Sequence, residues 1–97
     1  MTTVTLTITE TRPNLNVRFY RVPAEFINYI QKYNDIRHRD VYGYITSNDL
    51  LTRTSISTFD SQTDVDTYMN DPECEKIRIE NRAYNTANGI IGSITIV

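Results

Sequence analysis

The stretch VTLTIT, residues 4–9, alternates without a break. Val4, Leu6 and Ile8 fall on one side of an extended chain, and Thr5, Thr7 and Thr9 fall on the other. Strand side chains point alternately to the two faces of a sheet, so this pattern predicts a strand with one apolar face in a core and one face of threonine. Any fold for this chain must cover the first face and account for the second. The segment IIGSITIV repeats the demand, with Ile90, Ile94 and Ile96 on one side and Ile91, Ser93, Thr95 and Val97 on the other.

Between these strands the period changes. Pro23 suits the first turn of a helix, where a missing N–H is harmless. Phe26, Ile27, Ile30 and Tyr33 then recur at helical spacing, which predicts a helix ending near Arg37–Arg39. VYGYIT reads as a second strand, Ser47-Asn48-Asp49 as a turn and LLTRTSISTF as a third strand, so that the pair forms a hairpin. The third strand alternates poorly, and its pattern leaves open which face is buried. Ser61 followed by Asp64 is a helix-start pattern. Asp71 can cap a further helix that begins at Pro72, places Glu73 and Glu75 at its positive end and stops at Gly89. Cys74, Ile77, Asn81 and Tyr84 share one side of it.

The order is β-α-β-β-α-β. It predicts an α+β, ferredoxin-like domain spanning residues 1–97, a four-stranded antiparallel sheet with both helices on one face. The other face, carrying Thr3, Thr5, Thr7, Thr9, Ile91, Ser93, Thr95 and Val97, then lines a cleft or packs against a second sheet.

Charge and composition narrow the function classes. Ten basic and twelve acidic residues give a net charge of -2, which argues against a general nucleic-acid binder. Residues 1–40 carry a net +2 and residues 41–97 a net -4, a modest asymmetry that suits self-association. A lone cysteine forms no internal disulfide, and MTTVTLTITE lacks the basic and apolar blocks of a signal peptide, so a reducing, cytoplasmic setting is expected. No apolar run approaches the roughly 20 residues that span a bilayer, and no membrane partner is expected.

The element order, together with SQTDVDTYMNDPECEKIRIENRAYNTANGI, resembles the dimeric α/β-barrel superfamily, of which the antibiotic-biosynthesis monooxygenase-like proteins are a branch. The resemblance is carried by Ser61, Tyr68, the Asp71-Pro72 pair and Gly89, ahead of the last strand. It implies a homodimer whose two sheets face each other. The superfamily includes cofactor-free oxygenases, haem-degrading enzymes and isomerases. An Asn, Trp and His set used by its oxygenases is not carried over, because this chain has no tryptophan.

Few residues stand out as candidates for a site. His38, the only histidine, can act as a base or haem ligand, but in DIRHRD it reads as a solvated helix-end side chain. Arg53 sits mid-strand; it orients a ligand if its face points into a cleft and guards an edge if it points outward. Tyr42 and Tyr44 share a strand face and offer an aromatic wall, with packing the plainer reading. Arg12, Arg18 and Arg21 flank an extended segment and could meet an anion, though a solvated surface suffices for them. Cys74 reads as a small buried hydrophobe rather than a nucleophile. No metal or cofactor is called for. The expected function is a small homodimeric binding or assembly protein that holds a small ligand in the sheet cleft through Arg53, His38, Tyr42 and Tyr44. The alternatives are a cofactor-independent monooxygenase-like enzyme acting on a small aromatic compound, and a structural subunit of a larger assembly.

Overall fold

The structure, a computed structural model, describes residues 3–41 and 43–97. Along the chain come strand β1 (Val4–Thr11), helix α1 (Ala24–Tyr29), a 3-10 turn (Ile30–Tyr33) and two short strands, β2 (His38–Arg39) and β3 (Ile45–Thr46). Strand β4 (Thr52–Phe59), helices α2 (Gln62–Met69) and α3 (Pro72–Asn88) and strand β5 (Ile91–Ile96) follow. The fold is α+β, with one open antiparallel sheet ordered β2–β4–β1–β5 and β3 also paired to β4.

Register decides what each face carries. Leu6 lies between Ser57 and Ile96, Ile8 between Ser55 and Ile94, and Glu10 between Arg53 and Gly92. Directly opposed residues share a face. The face left open in the third strand is therefore settled: Arg53, Ser55, Ser57 and Phe59 point to the buried side of β4. Leu6, Phe59 and Val65 form the core there, with Val4, Ile8, Tyr68 and Met69 packed against it. The small serines of β4 leave room for α2, which packs on β1 and β4.

The other face carries Thr5, Thr7, Thr9, Thr11, Thr52, Thr54 and Thr58 around Ile56, with Ser93 and Thr95 on β5. At its rim Ile91 is 75 % exposed and Val97 77 %. No charged side chain lies on this face of β1, β4 or β5.

The helix boundaries follow their local chemistry. Ser61 Oγ accepts the Asp64 N–H at 3.1 Å and caps α2. Asp71 accepts the N–H groups of Glu73 at 2.9 Å and Cys74 at 3.4 Å, Pro72 opens α3, and Gly89 at φ +71° closes it. Only glycine reaches that left-handed conformation without steric cost.

Three elements depart from the sequence expectation. The first helix does not run to Arg37; after six residues it tightens into the 3-10 turn. Asn28, Tyr29, Ile30, Tyr33 and Asn34 are weak helix formers and do not propagate it. The second strand is split. From Arg39, paired with Ser57, to Ile45, paired with Thr54, the chain advances six residues against three on β4. The surplus loops out around Gly43 at φ +85°, and Arg39 bridges the loop by donating to the carbonyls of Val41 and Gly43. Tyr42 lies outside the described residues.

The last strand also differs. Ile90 is buried, but Ile94 and Ile96 stay exposed although they lie on the helix side. Helix α3 meets β5 only in part, and the uncovered stretch is a cleft.

Candidate functional site

Glu10 ends the same inward-facing series as Leu6 and Ile8, so strand alternation carries its carboxylate into the buried layer, where it is only 2 % exposed. A buried carboxylate needs donors. Register supplies Arg53 directly opposite, whose Nε and Nη2 both lie 2.7 Å from Glu10 Oε1. Helix α3 supplies Asn85, whose Nδ2 donates to Glu10 Oε2 at 2.7 Å. Arg53 Nη2 also donates to the Tyr20 carbonyl at 3.0 Å. One carboxylate thus ties β1, β4, α3 and the segment before α1.

The arginine is shielded as well as paired. Its guanidinium lies 4.6 Å from the centre of the Phe19 ring and 4.2 Å from that of Tyr44. Arg12 covers Phe19 in turn, at 4.8 Å, and donates to the carbonyls of Leu50 and Val17. Cations above aromatic faces are stabilised most when water is excluded.

Beside this cluster lies a cleft of about 450 Å³, between α3 on one side and β1 and β5 on the other. Ile8, Glu10, Arg82, Asn85 and Gly92 are among its walls. A Cβ on Gly92 would sit 3.4 Å from Asn85 Nδ2 and 4.0 Å from Glu10 Cγ, so any longer side chain would take up space beside the pair. Two side-chain oxygens here, Oδ1 of Asn81 and Oδ1 of Asn85, are buried without a hydrogen-bond partner. Leaving such an oxygen unpaired costs about 1–3 kcal/mol, so each calls for a donor from water, an ion or a ligand.

A second groove, of about 520 Å³, runs between α1 and α3 past Phe26, Tyr29, Ile77 and Glu80. At its end Asp71 gathers the hydroxyls of Tyr29, at 2.8 Å, and Tyr33, with Lys32 Nζ at 3.3 Å. Burial opposes ionisation of Asp71, but the hydroxyls of Tyr33 and Tyr29, the Glu73 N–H and Lys32 outweigh it and hold the carboxyl well below its usual range. The hydrogen bond to Asp71 pushes Tyr33 up to about 12, and the Tyr29 hydroxyl raises Lys32. All three groups move away from neutrality, which suits a clamp and not proton transfer.

The structure brings together only part of the expected site. Arg53 and Tyr44 are in contact, but Arg53 neither points into open solvent as an edge guard nor lines the cleft; its charge is spent on Glu10. His38 is half exposed at the β2 edge, 3.6 Å from Asp60 and outside the cleft. Tyr42 lies outside the described residues. Burial pushes the Cys74 thiol up to about 11, leaving it protonated at neutral pH. Arg12 is a structural clasp, and Arg18 offers its carbonyl to Tyr84 Oη at 2.6 Å. Sequence reasoning missed Glu10 and Asn85. The parity of Glu10 with Val4, Leu6 and Ile8 was the available signal for the first.

Among the described residues no group of His, Cys, Asp and Glu is arranged to hold a metal, and no helix is long and apolar enough to cross a membrane. No protein-family model matches the chain, and comparisons with curated proteins and with solved structures return no match.

Proposed function

We propose that this protein is a small homodimeric binding protein that holds a small polar ligand in the cleft between α3 and the β1–β5 edge. The observation that carries the reading is Asn85. It is 9 % exposed, its Nδ2 is fixed by Glu10, and its Oδ1 lacks a partner in the wall of that cleft. Ligand sites characteristically combine an apolar wall with a few fixed polar groups, and Ile8, Ile90 and Ile94 supply that wall.

Dimerisation through the threonine face completes the proposal. The sheet order and the helical crossovers support a ferredoxin-like topology and the relationship to dimeric α/β barrels. A face on which β1, β4 and β5 carry no charge, with Ile56 at its centre, exposed Ile91 and Val97 at one rim and Asp40 beside Thr58 at the other, suits a two-fold contact in which the same patch meets itself.

The test is an NMR screen of a small polar compound library against the wild-type protein and Gly92→Val. Binders should shift the amides of Asn85, Gly92 and Ser93 in the wild type and lose that effect in the variant. A library in which nothing moves those amides would overturn the ligand-binding reading.

A further inference from the structure

The orientation of Asn85 is dictated by its neighbour. Glu10 accepts from Arg53 on Oε1, and its Oε2 takes Asn85 Nδ2 at 2.7 Å. Turning the amide over would set oxygen against oxygen. Asn85 Oδ1 is therefore an acceptor in need of a donor. Asn81, one helical turn earlier on α3, buries its own Oδ1 without a partner and lines the same cleft.

The cations of the cleft are placed differently. Arg78 is engaged, donating to the Met69 carbonyl at 2.6 Å and lying 3.7 Å from Met69 Sδ. Arg82 has no hydrogen-bond or ion-pair partner among the described residues. Because Glu10 is already neutralised by Arg53, the charge left at the cleft is positive.

We infer that the cleft takes a small carboxylic acid that also carries a hydroxyl or N–H donor. The acid meets Arg82, the donor meets Asn85 or Asn81, and the hydrocarbon body lies against Ile8, Ile90 and Ile94. This rests on the ligand-binding reading above and narrows it. Selectivity follows from what each incomplete ligand leaves undone. An acid without a donor keeps the orphaned oxygens unpaired, and a donor without an acid forgoes the charge-assisted bond to arginine.

Three probes separate these terms: 4-hydroxybenzoate, benzoate and phenol, each titrated into the full chain and followed by amide shifts at Asn85, Gly92 and Ser93. The two-headed probe should bind about tenfold tighter than either fragment. Arg82→Gln, a change at an exposed position, should reduce 4-hydroxybenzoate to the affinity of phenol and leave phenol unchanged. At least one of Asn81→Ala and Asn85→Ala should weaken 4-hydroxybenzoate and leave benzoate unchanged, and if neither does, the donor half of the recognition is overturned. Equal affinity for all three probes at these amides would overturn the two-point recognition while leaving a ligand-binding cleft in place. No shift with any of them also overturns this inference, and the library screen against Gly92→Val then decides separately whether the cleft binds anything.

Discussion

Glu10 and Arg53 are direct partners across β1 and β4, and their side chains close the same gap with a 2.7 Å contact inside the protein. Removing one partner strands the other. Arg53→Met should lower stability by about 3–5 kcal/mol, because an unpaired carboxylate would remain buried. Glu10→Leu combined with Arg53→Met should return to within about 1–3 kcal/mol of the wild type, the remainder reflecting the lost acceptor of Asn85 Nδ2. Urea unfolding measures both. A double variant no more stable than the single one would disprove the account of the pair.

Asp71 makes stability depend on acid. Its folded-state pKa is depressed, so its contribution is complete above the ordinary carboxylate value and is lost as pH falls toward the folded value. Asp71→Asn keeps a capping side chain and removes the charge. The stability gap between wild type and this variant should be constant from neutral pH to about pH 4 and shrink below it. A gap that is flat throughout would mean that Asp71 acts only as a cap.

Cys74→Ala should cost about 1–2 kcal/mol, the loss of one small buried side chain, and leave ligand binding unchanged. In the folded protein the thiol should react with Ellman's reagent at the rate of unfolding. Rapid labelling of the native state would contradict its burial.

Leu50 holds φ +64° in the turn between β3 and β4, a conformation that disfavours a branched side chain, and its own side chain is half exposed. Leu50→Gly should therefore be neutral or stabilising by up to about 1 kcal/mol despite the lost side chain. Thermal melts give the sign directly.

Ile56→Arg places a charge at the middle of the threonine face, where a facing copy would bury it. Light scattering after size exclusion should find the wild type dimeric and the variant monomeric with unchanged circular dichroism. A monomeric wild type would defeat the dimer proposal.

What could be read in advance was local. VTLTIT announced its two faces, and Ser61, Asp71-Pro72 and Gly89 announced helix ends, because alternation and capping act over a few residues. Arg53 could not be placed, since LLTRTSISTF has no apolar parity and its inward face is set by pairing with a strand 41 to 55 residues earlier. The split of the second strand depended on a change of register against β4, between Arg39 opposite Ser57 and Ile45 opposite Thr54, which the strand's own residues do not signal. Asn85 carries no sequence signal of its own, because its role comes from Glu10, 75 residues earlier. The end of the first helix yielded to weak propensity and to Asp71, neither of which a hydrophobic stripe reports.

The register that sets Leu6 between Ser57 and Ile96 has a kinetic consequence. β1 is an inner strand, yet both neighbours lie far along the chain, so neither ladder can form by a hairpin turn. Each requires closure of a long loop before its contacts stabilise anything. Folding should be slow for a chain this short, with the caps of α2 and α3 formed well before the sheet. The interval leaves VTLTIT without partners on either edge, so chaperone binding or aggregation during refolding should depend on how quickly β4 and β5 reach it.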